Sequence, residues 1–188
     1  MNSKFKQTFQ KINMDIEEYK QDLQLDNFNE QENECYIHVD LTKGDIYQPY
    51  SNESLLNEEI FEFIENTYHF VKKHSLLHIK ISFPIDMEES EKQKIVKLIQ
   101  IHYAISFKEV CLEIHRTNVR GTIILLIGAL LFSIYGLLEW YQVNFIFRGI
   151  IEIFSWVFIW EACNQYAFTN TKNKLVRLKY YKLYNAVN

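Results

Sequence analysis

Glycine and proline are scarce in this chain, five and two in 188 residues, so it offers few backbone turns tight enough to cradle a phosphate. None of G-x-x-x-x-G-K-[ST], G-x-G-x-x-G or G-x-S-x-G occurs, which argues against nucleotide hydrolysis. Cysteine is sparse too. Cys35, Cys111 and Cys163 lie far apart with no C-x-x-C pair, so neither a disulfide framework nor a zinc knuckle is indicated, and free thiols fit the cytoplasm. An excess of positive charge is also missing: the formal net charge of -4 argues against a general nucleic-acid binder. The opening MNSKFKQTFQKINMDIEEYK has basic residues but no apolar run behind them, so membrane insertion is expected to be directed from the C-terminal part.

What the chain does have is a sharp division of polarity. Its average hydropathy is that of an ordinary soluble protein, but the average joins a polar first two thirds to a strongly apolar segment beginning near Gly121. From Ile123 to Leu138, IILLIGALLFSIYGLL carries no charge, and with its flanks (about 121–140) it approaches the roughly 20 residues that span a hydrocarbon core. A second apolar stretch, about 145–163, contains Arg148, Glu152 and Glu161. Each of its Ile, Val and Phe residues gains about 0.3–0.6 kcal/mol on insertion, while each central charge costs up to about 3 kcal/mol, so alone it inserts only marginally. The two spans make a transmembrane hairpin over 119–168. Its EWYQVN turn has no Lys or Arg, whereas Lys108, Arg116 and Arg120 precede the first span and Lys172, Lys174, Arg177, Lys179 and Lys182 follow the second. The positive-inside rule then predicts both termini in the cytoplasm.

Folding the hairpin about Tyr141 and Gln142 brings Glu139 within about a turn of Arg148, and Arg148 and Glu152 are i,i+4 neighbours. An intramembrane cluster of Glu139, Arg148 and Glu152 is therefore expected. Such a cluster clamps helices or copies of the chain together, or lines an ion or proton path, and the clamp is the commoner role. Ala129, Ser133 and Gly136 share one face of the first span, where small residues let the second span or another subunit approach.

Upstream, Phe5, Phe9, Ile12, Ile16, Tyr19 and Leu23 recur at alternating spacings of four and three, predicting an amphipathic helix within 1–25 that packs on the chain's own domain. DNFNEQENE reads as a solvated linker. CYIHVDL (Cys35 to Leu41) alternates as a strand, Ser54 with Asn57, Glu58 and Glu59 opens a helix reaching about His74, and LLHIKISFP is a second strand. Strand, helix and strand with a long crossover predict a right-handed unit with parallel strands. Two strands alone are rarely stable in water, so helices or another subunit must cover the sheet. Neither Gly nor Pro occurs from Met87 to Arg120, where Ile95, Leu98, Ile99, Phe107, Val110 and Ile114 form an apolar stripe. This is either one long helix running into the first span or a helix broken near Ser106 or Thr117. These elements form a cytoplasmic α/β domain with a long linking helix over 35–118, and 169–188 reads as a basic cytoplasmic tail.

Groupings that carry chemistry are weak. His38 and Asp40 share one strand face, and His78 can join them from the neighbouring strand, which would suit a divalent metal or proton transfer. Three polar groups on a sheet are more often solvent-facing, and no spacing such as H-E-x-x-H supports a metal. GDIYQPYSNESL (Gly44 to Leu55) is the most distinctive polar segment. It is a structural turn or a binding loop after a strand, with Asp45, Tyr47, Pro49 and Tyr50 as its candidate residues. No metal, cofactor or enzymatic activity is indicated.

The alternating strand, DIYQPYS with its Pro49–Tyr50 pair, the helix, the strand ending in FP, the long charged helix and SWVFIWEA in the second span resemble a family of uncharacterised small bacterial membrane proteins, over most of the chain after about Cys35. The resemblance implies a cytoplasmic α/β domain and two C-terminal transmembrane helices, and it brings no activity and no functional residue. Together these readings predict an α+β protein of the bacterial inner membrane: a small strand-helix-strand cytoplasmic domain, a long helix and a C-terminal two-helix transmembrane hairpin. It is expected to be a non-enzymatic homo-oligomer whose cytoplasmic domain senses a ligand or protein partner and whose hairpin alters membrane permeability. The alternative is a membrane-anchored adaptor whose hairpin only anchors and oligomerises. The expected partners are the lipid bilayer and further copies of the chain, not nucleic acid.

Overall fold

The computed structural model describes residues 7–8, 10–18, 31–42, 44–48, 55–71 and 75–187. The chain is mostly helical with one small sheet. In order come a helical segment α1 (residues 10–18), β1 (Gln31–Asp40), α2 (Glu58–Tyr68), β2 (Ser75–Ser82), α3 (Glu89–Trp140), α4 (Phe145–Asn164), a π-helical turn (Gln165–Thr169) and α5 (Asn170–Ala186). Two units result: Met1–Lys108 with Leu178–Asn188, and Glu109–Arg177.

In the first unit the strands pair in parallel, as their long crossover requires, with Ile37 opposite Ile79 and Val39 opposite Ile81. Alternation sends Ile37, Val39, Leu41, Leu77 and Ile79 into the core, while Tyr36, His38 and Asp40 face out. Ile60 and Ile64 of α2, Ile95, Ile99 and Tyr103 of α3, and Leu183 and Ala186 of α5 with Val187 complete that core. Each fully buried aliphatic side chain contributes about 1.5–3 kcal/mol, and this helical cover is what makes two strands viable. β1 begins earlier than expected. Gln31 to Glu34, assigned from sequence to a solvated linker, belong to the strand, with a register shift between Gln31 and Glu34. Backbone pairing with Ser75 and Leu76 holds Gln31 and Glu34, and no hydrophobic alternation marks this stretch.

α2 is capped by Asn57, whose Oδ1 accepts from the Glu59 N–H at 3.2 Å, with Glu58 and Glu59 complementing the helix dipole. It ends at Tyr68 rather than near His74. Ser54 and His74 lie outside the described residues, as do Phe5, Phe9, Tyr19, Leu23, Pro49 and Tyr50. Ile12 and Ile16 of the N-terminal seam are buried, and the Tyr184 hydroxyl donates to Asn13 Oδ1 at 3.1 Å, tying α1 to α5.

The two longest expectations resolve differently. α3 runs 52 residues without a break at Ser106 or Thr117, about 78 Å at 1.5 Å per residue. Its inward stripe is Ile95, Ile99, Tyr103 and Phe107, each at most 1 % exposed. The segment 169–188 is no tail: it contains α5, and Leu178, Tyr181, Leu183, Ala186 and Val187 are buried. Lys179 pairs with Glu65 at 2.6 Å and Lys182 donates to the Ser75 carbonyl at 2.9 Å. Two lysines counted as tail charges are thus parts of the first unit.

The second unit holds the C-terminal part of α3 and α4. α3 closes with Val143 N–H bonded to the Leu138 carbonyl at 3.1 Å and Gln142 N–H to the Glu139 carbonyl at 3.0 Å. Gln142 takes the left-handed position of this Schellman motif, φ 53°, which glycine usually fills. Asn144 then caps α4, its Oδ1 accepting from Ile146 N–H at 2.9 Å. Past the turn, Ile159 and Phe158 press on Gly128, Tyr166 presses on Gly121, and Trp156 meets Phe132 edge-on at 6.5 Å between ring centroids. The small residues at this contact are therefore Gly128, which admits α4, and Gly121, which admits the π-helical turn. Ala129, Ser133 and Gly136 are exposed, and a Cβ on Gly136 would meet nothing within 4 Å. Residue 129 is turned about 100° from residue 128, which takes that row off the contact.

Among the described residues α3 is the one helix long and apolar enough to cross a membrane, and only 11 % of its most apolar 18-residue window is buried within the chain. α4 falls short of that measure because its 20 residues include Arg148, Glu152 and Glu161. Each such charge offsets the gain of several Ile or Phe side chains.

Candidate functional site

The first unit has a cavity of about 260 Å³ beside the carboxyl end of β1, where open sheets with parallel strands commonly bind ligands. Val39 and Leu41 from the strand and Ile60 and Phe63 from α2 give it an apolar lining, and Asp40, Asp45 and Glu59 add three carboxylates, with His38 beside them. Local hydrogen bonds shape the loop. Asp40 Oδ1 accepts from Thr42 N–H at 3.1 Å and Thr42 Oγ1 at 2.6 Å, and Asn57 Nδ2 donates to the Asp45 carbonyl at 3.3 Å. Carboxylates at an apolar hollow favour a cationic or donor-rich group over a phosphate.

The sequence-derived loop residues separate here. Asp45 lines the cavity. Tyr47 does not: it bridges to Leu56, its hydroxyl donates to Glu91 Oε1 at 3.2 Å, and Lys94 Nζ sits 5.4 Å from its ring centroid. It therefore ties the loop to the start of α3. Pro49 and Tyr50 lie outside the described residues.

His38 and Asp40 stand at the cavity, but His78 is engaged elsewhere, stacked on Tyr36 with centroids 5.4 Å apart, while Lys80 Nζ lies 4.0 Å from the same ring. The Tyr36 hydroxyl bonds to Glu34, and that hydrogen bond pushes the Tyr36 pKa up. Among the described residues no three His, Cys, Asp or Glu side chains converge in a way that could hold a metal.

In the second unit the expected triad becomes a pair and a separate carboxylate. Arg148 Nη1 lies 3.8 Å from Glu139 Oε1, with the arginine side chain 27 % and the glutamate 59 % exposed. Arg148 Nε is buried without a hydrogen-bond partner. Glu152 is half-buried one turn further along α4, and no ion pair joins it to Arg148 among the described residues. Sequence reasoning missed the seam that α3 and α4 share. Gly121 and Gly128 are seven residues apart on α3, and that spacing was the available signal. Gly121 meets Tyr166, whose hydroxyl shares a 2.6 Å hydrogen bond with Thr122 Oγ1. No protein-family model, curated protein or solved structure matches the chain.

Proposed function

We propose that this chain is an integral protein of the bacterial inner membrane, acting as a non-enzymatic homo-oligomer. The α/β unit is cytoplasmic and senses a small ligand at the cavity by Asp45 and Glu59, and the α3–α4 hairpin crosses the bilayer twice and alters its permeability. The observation that carries this reading is the inverted burial of the second unit. Gly121, Gly128, Ser155, Ala162 and Gln165 are buried, while Leu126, Leu130 and Leu137 are 64 %, 63 % and 60 % exposed and Trp160 is 74 % exposed. Small and polar residues inside with large apolar ones outside suit a hydrocarbon solvent.

The chain's return supports two crossings. Leu183, Ala186 and Val187 share a core with Ile37 and Ile79, so a chain that leaves the α/β unit through a membrane along α3 must cross again to finish there. A hairpin partner offsets the marginal insertion of α4, because Glu139 faces Arg148. The turn without Lys or Arg then lies outside and both termini in the cytoplasm.

The test is ion flux from liposomes containing the full-length protein, comparing wild type with Glu152→Gln and Arg148→Leu at matched incorporation and oligomeric state. Wild type is expected to pass ions and both substitutions to change the rate. A protein that never conducts, and that keeps its cellular function when an unrelated hairpin replaces 119–168, is instead the anchored adaptor.

A further inference from the structure

The π turn between α4 and α5 does what an α-helical turn would not. In an α-helix, side chains five residues apart point about 140° from each other. Here Asn170 N–H bonds to the Gln165 carbonyl, an i,i+5 link. The side chains of Gln165 and Asn170 fall on one face, 7 % and 9 % exposed, while the four residues between them are exposed. Such insertions occur frequently at functional sites.

That face meets α3 at Asn118. Asn170 Nδ2 donates to Asn118 Oδ1 at 3.0 Å, and the Tyr166 hydroxyl donates to the Asn118 carbonyl at 3.3 Å. Gln165 Nε2 donates to Glu161 Oε1 at 3.1 Å. With their amide nitrogens engaged, Gln165 Oε1 and Asn170 Oδ1 are buried acceptors that no donor meets. A buried acceptor left so is costly unless something satisfies it. Both atoms are oxygens, and the Glu161 carboxylate stands beside the Gln165 amide. Amide and carbonyl oxygens at an interrupted helix are the ligands with which membrane proteins hold dehydrated alkali cations.

We propose that Gln165 and Asn170, presented by the π turn against Asn118, form a binding site for one Na⁺ or K⁺ ion. The site belongs to the second unit and stands whether or not the hairpin conducts.

The test uses full-length protein in detergent micelles in choline chloride, with choline replaced stepwise by sodium or potassium at constant ionic strength. Thermal unfolding is followed by tryptophan fluorescence, and retained radioactive sodium or rubidium is counted after equilibrium dialysis. One alkali cation is expected to raise Tm saturably, with about one ion retained per chain. Asn170→Leu is expected to abolish both effects. Gln165→Glu keeps an oxygen and adds charge, so it is expected to lower the half-saturating concentration about tenfold. If Asn170→Leu does not fold, dialysis of wild type and the Gln165→Glu shift decide the matter. The same Tm in every chloride with no ion retained overturns the site and leaves the two oxygens to water. A cation effect indifferent to both substitutions also overturns it, by putting the ion elsewhere.

Discussion

In the first unit the side chains withdrawn from solvent include Ile37, Ile64, Ile95 and Ile99; in the second, beyond Ile114, they are Thr117, Ser155, Ala162, Gln165 and Asn170, and most of the large apolar groups stand outside. The two burial patterns suit different solvents. In water, removing apolar area is the main driving force, so a core of isoleucines forms. Among lipid tails an apolar face gains little by meeting another, and helices associate through close backbone approach and shared hydrogen bonds. α3 changes rule along its own length: Ile95 and Ile99 are fully buried, whereas Leu126 and Leu130 are 64 % and 63 % exposed. A leucine or isoleucine therefore has a different energetic meaning at its two ends.

The largest expected effect tests that change of rule directly. Ile99→Ala should cost about 2–5 kcal/mol in denaturant unfolding of the detergent-solubilised protein, whereas Leu130→Ala should stay within about 0.5 kcal/mol. Similar losses at both positions would erase the distinction. Within the second unit, Gly128→Ala should cost about 1–3 kcal/mol through overpacking. The added Cβ would lie 2.9 Å from Ile159 Cγ1 and 3.2 Å from its backbone nitrogen. Gly136→Ala, with nothing within 4 Å of the added carbon, should stabilise by about 0.5–1 kcal/mol, since it removes a helix-interior glycine. Reversed signs would move the helix seam to the other face. Smaller still, Glu139→Gln should cost no more than about 1 kcal/mol, because its 3.8 Å pair with Arg148 leaves the glutamate 59 % exposed. A larger loss, read in the same micelle unfolding assay, would mean a clamp shielded from solvent.

How much of this was legible in the sequence follows from which signals are local. The alternation of Ile37, Val39 and Leu41 and the crossover to Leu77 and Ile79 gave the parallel pair, because a period of two reports one buried face directly. The stretch without Gly or Pro led to one of two readings of α3, and the unbroken one is found. The α5 contribution was not legible. Four lysines and Arg177 are interspersed among its apolar residues, and only the remote core shows that Leu183 and Val187 have somewhere to go. Of the candidate loop, Asp45 lines the cavity while Tyr47 turns to Glu91, a contact 44 residues away in sequence that no spacing rule encodes. The helix seam was misread for a related reason: small residues were sought as a cluster at 129, 133 and 136, whereas close approach depends on which of them face Ile159 and Tyr166.

A last change, of about the same size, sharpens the comparison most, because it concerns a buried polar atom in the isoleucine-rich core of the first unit. Tyr103 is wholly buried, edge-on to Phe61 at 6.0 Å, and its hydroxyl has no hydrogen-bond partner. Burial pushes its pKa well above the ordinary 10.0, with the Glu65 carboxylate and Tyr180 adding to the rise. A raised folded pKa means that the folded state holds the proton more tightly, so this contribution is whole below pH 10 and is lost as the pH climbs further. Tyr103→Phe should therefore flatten part of the alkaline loss of stability, read as the difference between variant and wild type in denaturant titrations at rising pH. At neutral pH it should raise stability by about 1 kcal/mol, since it removes an unsatisfied buried group. A loss at neutral pH would mean that the hydroxyl is satisfied after all. The isosteric change of a buried polar side chain in the second unit, Gln165→Met, should act the opposite way and destabilise, because it removes the bond that Gln165 Nε2 donates to Glu161 Oε1.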